Sequence, residues 1–210
     1  MSNPFIVDSE DSVYISHKAA TKSWYKNKEE LDVNYLMIDT GTMKFGWGAY
    51  TPESGYSYTF QKDLFTPIDK PSDDHKKAFS VWVLPKYVDG DKNIEHAPCL
   101  WQRHSFGEYS GFQQMGASFY EESQKPENKD KLPVVKWIGS EALSIGMGTT
   151  AIPKFELAAF KERPDNFIIP SWYGSEEEES TPVVSPKDTS SSDVSDTKET
   201  PVSFNDEIPF

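Results

Sequence analysis

The sequence predicts a mainly β domain, a small barrel or sandwich with one interposed helix, followed by a disordered acidic tail. Three observations predict it. Apolar and aromatic residues recur with a period of two in short runs bounded by Gly, Pro, Asp and Asn. Only one stretch has helical spacing, and there is neither β–α–β alternation nor a solenoid-length repeat. After Gly174 the aromatic-rich composition gives way to Ser, Thr, Pro and acids.

The elements follow in order. Asn34-Tyr-Leu-Met-Ile38 reads as a strand, Asp39-Thr-Gly-Thr42 as a four-residue turn, and Met43–Tyr50 as the returning strand of a hairpin. Thr51–Gly55 is a further turn. Tyr56, Tyr58 and Phe60 then alternate with Ser57 and Thr59. Pro67–Asp74 is a polar loop. Phe79–Leu84 is a strand closed by Pro85, with Phe79, Val81 and Val83 on its core face. Val88–Lys92 turns into Cys99–Phe106, another strand. Phe112, Met115, Phe119 and Tyr120 have helical spacing, which predicts a helix over 112–124 packed on one end of the strands. Two last strands, Pro133–Leu143 and Ile152–Lys161, flank a flexible Ile145–Thr150 connection, and Arg163-Pro164 ends the second.

The chain carries 21 Lys+Arg against 34 Asp+Glu, a formal charge of −13, which would ordinarily argue against nucleic acid as a partner. The charge is unevenly placed. Residues 175–210 hold ten acids and two bases, so eight of the thirteen net charges sit on 36 residues, and residues 1–174 keep −5. The tail's four valines, Val183, Val184, Val194 and Val202, are too little apolar surface to offset its ordering entropy. Its last residues differ: Phe204, Ile208 and Phe210 are large and apolar, Asp206 and Glu207 are acidic, and Pro209 biases Ile208 toward extended geometry. Such a tip suits a hydrophobic pocket rimmed by Lys or Arg.

Phe204-Asn205-Asp206-Glu207-Ile208-Pro209-Phe210 closely resembles the acidic tip of bacterial single-stranded DNA-binding proteins, which end in Asp residues followed by Ile-Pro-Phe. Asn205 stands where a further acid is usual, and bacteriophage members share the plan of barrel, acidic tail and terminal Phe. The resemblance implies that residues 1–174 form an oligonucleotide/oligosaccharide-binding (OB) barrel that holds single-stranded DNA during replication, recombination and repair. It implies that 175–210 recruits polymerase, primase, helicase or recombination proteins through Phe204, Asp206, Glu207, Ile208, Pro209 and Phe210, and competes with DNA for the groove.

Such barrels stack bases on aromatic rings and track phosphates with Lys and Arg. Residues 1–174 hold 27 aromatics, more than one small core needs. The candidate stacking rings are Trp47, Trp82, Trp101 and Trp137, with Tyr56 and Tyr58. Trp101 shares a strand face with Arg103. Gly46 and Gly48 leave one strand face bare for close approach of another backbone or of a strand of DNA. The candidate phosphate contacts are Lys22 and Lys26, in an even run with Lys18 and Lys28 around Trp24 and Tyr25, then Lys44 and Arg103, followed by Lys76, Lys77, Lys129 and Lys131.

Catalysis is not expected. Asp39-Thr-Gly-Thr42 has the local look of a phosphate loop or an aspartic-protease motif, but the companion motifs are absent and a turn explains it. His96, Cys99 and His104 lack a fourth metal ligand, and no cofactor motif is present. One Cys excludes an intrachain disulfide, and the N-terminal residues look unlike a secretory signal. No run approaches about 18 apolar residues. The expected setting is cytoplasmic, with no membrane contact and a possible homo-oligomer. The competing reading is a non-catalytic protein–protein adaptor or virion component that carries an acidic peptide.

Overall fold

A computed structural model describes residues 13–146 and 148–173 of the chain. The tail read as 175–210 lies outside the described residues. Eleven strands form one mixed, unclosed sheet: β1 (Tyr14–Lys18), β2 (Ser23–Lys26), β3 (Glu29–Leu31), β4 (Tyr35–Ile38), β5 (Lys44–Thr51), β6 (Gly55–Phe60), β7 (Lys76–Asp89), β8 (Lys92–Glu95), β9 (Cys99–Arg103), β10 (Leu132–Ile145) and β11 (Gly148–Lys161). One helix, α1 (Phe106–Ser123), follows β9. The main path runs β11-β10-β4-β7-β9-β1-β2-β3, and the β1–β9 pair alone is parallel.

The long β7 is the spine. Val83 pairs with Ile38 of β4 on one edge and Cys99 of β9 on the other, while Phe79 pairs with Phe45 of β5 and Arg103 of β9. Hence β4 and β5 lie along the same edge of β7. The expected hairpin at Asp39–Thr42 is therefore corrected: the chain does not reverse there but bulges outward through a 3₁₀ turn, Thr40–Thr42. The ladder survives the bulge because Asp39 N–H donates to the Trp82 carbonyl (3.0 Å) and Trp82 N–H donates to Thr42 Oγ1 (2.9 Å). A side-chain oxygen stands in for the missing backbone acceptor.

Alternation along β7 divides the interior. Phe79, Val81 and Val83 join Ile15, Trp24, Leu36, Ile38 and Trp101 beneath Phe112, Met115 and Phe119 of α1. Trp82 and Leu84 point the other way and pack with Leu100, Leu132 and Phe167. That second face is covered by the segment after β11, where Ile169 and Tyr173 pack on it. Arg163 pins this segment: its guanidinium pairs with the buried Asp39 carboxylate and donates to the Phe167 carbonyl (3.2 Å).

The helix begins six residues earlier than its apolar spacing suggests. Ser105 Oγ accepts from Glu108 N–H (3.4 Å), the start of a Ser-x-x-Glu capping box. Gly107 and Gly111 then let the first turns lie on β11; a Cβ at Gly107 would sit 2.4 Å from the Ala151 carbonyl oxygen. The glycines that blurred the helical pattern are thus what permits the packing.

Candidate nucleic-acid interface

Strands β1 to β3 were not expected, and β1, β2 and the turn after β2 build one wall of the main groove. In β1, Ile15 and His17 are buried, while Tyr14, Ser16 and Lys18 alternate with them. Tyr25 of β2 stands opposite Ser16. The connection from Lys26 to Glu29 uses only Asn27 (φ 53°) and Lys28 (φ 69°), both left-handed, the geometry of a tight type I′ hairpin. Lys28 thus holds a conformation that Gly would adopt at no cost.

The other wall is β6. The strand path β1-β9-β7-β5-β6 places β1 and β6 at opposite ends with no pairing between them, and the groove occupies the gap. It consists of two adjoining depressions of about 360 and 500 Å³ that share Ser16, Lys18, Tyr56 and Arg103. Tyr58, His104, Ser105 and Glu108 line the first, and Tyr14, Tyr25, Asn27 and Lys28 the second. Lys18 Nζ stands 3.7 Å from the Tyr25 ring centre. Tyr50 and Tyr56 contact at 4.8 Å between centroids, and His104 lies tilted against Tyr56 at 5.7 Å and edge-wise against Tyr58 at 5.6 Å. Tyr56 is 69% exposed.

The glycines of β5 explain why this wall is ordered. Tyr58 lies opposite Gly48, and a Cβ there would come within 2.8 Å of the Tyr58 ring. At Gly46 a Cβ would sit 2.0 Å from the Thr59 carbonyl oxygen. The bare face expected at Gly46 and Gly48 is therefore filled by another backbone, the chain's own β6, one of the two occupants expected there, rather than by DNA. Burial pushes the Tyr58 hydroxyl up to about 12, and it contacts His104 Nδ1 at 3.2 Å.

Beneath the groove sits Glu108. Its carboxylate accepts from His17 N–H (2.9 Å), Trp101 Nε1–H (3.1 Å) and Ser105 Oγ–H (3.0 Å), and Arg103 Nε lies 3.4 Å away. Burial pushes its pKa up, while Arg103 and these donors pull it down. One carboxylate therefore ties the helix start, the core and a groove cation together. Behind it, burial holds His17 at about 4, a neutral ring whose Nε2 contacts Ser140 Oγ at 2.8 Å.

Of the residues expected to touch DNA, Tyr56, Tyr58 and Arg103 line the groove, together with Lys18 and Lys28 of the basic run. The tryptophans do not. Trp82 and Trp101 are 1% and 0% exposed, packed in the two halves of the interior, and offer no free face to a base. Trp47 is half-buried with its Nε1–H on the Ile68 carbonyl (3.0 Å), and Trp137 packs edge-on against His17 and Trp24. Lys22 is exposed at the β1–β2 turn, Lys26 lies on the core side beside Cys99, and Lys44 lies over the Tyr173 ring (4.4 Å) on the opposite face. Tyr14 and His104 were missed, and Tyr25 was noted only as a neighbour of lysines. The alternation Tyr14-x-Ser16-x-Lys18 was the available signal. His96, Cys99 and His104 have separate partners: the Asp32 carbonyl, the Ala97 carbonyl and Tyr58. Phe204, Asp206, Glu207, Ile208, Pro209 and Phe210 lie outside the described residues.

The groove sets the rings of Tyr14, Tyr25, Tyr56 and Tyr58 beside three cations, Lys18, Lys28 and Arg103. Comparison of the chain with protein-family models, curated proteins and solved structures finds no match in any of the three.

Proposed function

We propose that the protein binds single-stranded DNA non-catalytically in this groove, using it as an OB-type barrel uses its open face. The observation that carries the reading is the juxtaposition of Tyr14, Tyr25, Tyr56 and Tyr58 with Lys18, Lys28 and Arg103 in one gap between β1 and β6, which do not pair with each other. Stacking on a ring contributes about 1–3 kcal/mol per base with little sequence preference, and the cations neutralise phosphates. A left-handed lysine at the groove rim supports the reading, since strained backbone gathers at functional sites. The acidic remainder of the domain disfavours long duplex contacts and confines attraction to the groove.

The C-terminal tip then recruits replication or recombination proteins, as its Ile208-Pro209-Phe210 ending implies by resemblance. The test is anisotropy of a labelled oligo(dT) titrated with full-length protein and with a chain lacking 203–210. Salt-sensitive binding by both, with partner capture lost only from the truncated chain, is the expected result. No binding by either chain at low salt would refute the proposal and favour the adaptor reading.

A further inference from the structure

His104, the residue after β9, lines the first depression beside Ser16, Lys18, Tyr56, Tyr58 and Arg103. Its Nδ1 contacts Tyr58 Oη at 3.2 Å. Its Nε2 has no hydrogen-bond partner among the described residues, so one imidazole nitrogen is left for a ligand. The other three histidines do not offer that in the groove. His17 is buried with Nε2 on Ser140 Oγ, His75 Nδ1 contacts Ser72 Oγ in the loop before β7, and His96 Nε2 contacts the Asp32 carbonyl.

The charges around His104 are mostly cations: Arg103 of β9, Lys18 of β1 and Lys76 of β7, with His75 just before β7. Tyr56 and Tyr58 of β6 face it as neutral rings. Glu108 of α1 is the one acid lining the depression, and its oxygens are occupied by His17 N–H, Trp101 Nε1–H, Ser105 Oγ–H and Arg103. No lining carboxylate is therefore free to accept from an imidazolium. Burial, and then the charges of Lys76, Arg103 and His75, hold the His104 pKa below the ordinary histidine value.

A phosphate reverses that balance, because it brings the counter-charge that the depression lacks. An imidazolium donates from both nitrogens, Nδ1–H to Tyr58 Oη and Nε2–H to a phosphate oxygen. On the single-stranded DNA reading of the groove, on which this rests, we propose that His104 becomes a fourth groove cation when a strand is bound, taking one proton from solvent as a phosphate settles beside it. The bound state then holds more protons than the free state, so affinity rises as pH falls.

Anisotropy of a labelled oligo(dT) with the full chain, from about pH 8 to about pH 5.5, tests this. Wild type is expected to bind about threefold or more tighter at the lower pH, and by no more than about tenfold per pH unit for one proton. The slope of log K against log salt should steepen by about 0.7 over the same range, for one more phosphate neutralised. His104→Gln should flatten the pH profile, and His75→Gln should keep it. An NMR titration of the wild-type imidazoles reads the coupling without any substitution: the His104 pKa should rise when the protein is saturated with oligo(dT). A pH-independent affinity, an unmoved His104 pKa, or a profile flattened by His75→Gln instead of His104→Gln would each overturn the proposal and leave the groove reading standing. Absence of binding at every pH would overturn both.

Discussion

Lys18→Gln is the most direct perturbation of the groove. Lys18 is exposed at the end of β1, shared by both depressions, with its Nζ over the Tyr25 ring. Its removal should change stability by about 0.5 kcal/mol or less. Three cations line the groove: Lys18, Lys28 and Arg103. Each phosphate neutralised on a single strand contributes about 0.7 to the slope of log K against log salt, so wild type should show a slope of about −2. From about 50 to about 200 mM salt that is a loss of about 16-fold in affinity. With one cation gone the slope falls to about −1.4 and the loss to about sevenfold. Anisotropy of a labelled oligo(dT) at several salt concentrations measures both. Lys44→Gln is the control, because Lys44 lies over Tyr173 on the opposite face. A wild-type slope near zero, or equal changes from Lys18→Gln and Lys44→Gln, would refute the placement of the strand in this groove.

Other outcomes follow from the same geometry. Tyr56→Ala should weaken oligo(dT) binding by about 1–3 kcal/mol and leave the urea midpoint unchanged, since the ring is 69% exposed. Trp101→Ala should destabilise by about 3–5 kcal/mol in urea denaturation, because the ring is fully buried and its Nε1–H serves Glu108. Glu108→Ala leaves buried donors on His17, Trp101 and Ser105 without an acceptor, at a cost of about 3 kcal/mol in the same assay. Folded His17 takes up its proton only near pH 4, whereas the unfolded chain does so near 6.5. Stability should therefore fall as pH drops from 6.5 toward 4, and His17→Gln, which keeps a partner for Ser140, should remove that part of the decline. The raised Glu108 carboxyl works in the opposite sense, so the difference between the two proteins is the quantity to read.

The sequence made the mainly β class legible, because period-two alternation survives wherever one strand face is buried. It also placed Phe79, Val81 and Val83 correctly, since three β-formers at that spacing leave little choice of face. The Asp39–Thr42 bulge was not legible. A turn-forming tetrapeptide between two strands reads as a hairpin, and only the shared partner β7 shows that the chain runs on. Strands β1 and β2 were hidden because both are short, His17 takes a core position, and Ser16, Lys18, Ser23 and Lys26 interrupt the apolar residues. The tryptophans misled for a related reason. In a chain with only 36% hydrophobic residues, Trp24, Trp82 and Trp101 are the largest fully buried side chains, so the two candidates among them are taken up by the core.

The placement of the aromatics also resolves how an acidic domain could hold a polyanion. Tyrosine supplies a ring that tolerates water, and Tyr14 and Tyr56 stand 43% and 69% exposed, whereas Trp24, Trp82 and Trp101 are buried. Arg103 is the cation nearest the core, and Glu108 beneath it lowers the net charge of that spot. The pair trades attraction for position: the carboxylate draws Arg103 Nε inward, and the guanidinium lines both depressions. Glu108→Gln separates the two effects. It keeps an acceptor for Trp101 and removes the opposing charge, so oligo(dT) affinity should rise at low salt if the charge dominates and fall if the position does. A fall, with a salt slope no steeper than wild type, would mark Glu108 as the residue that positions Arg103. A rise with a steeper slope would show that the groove gains more from free cations than from ordered ones.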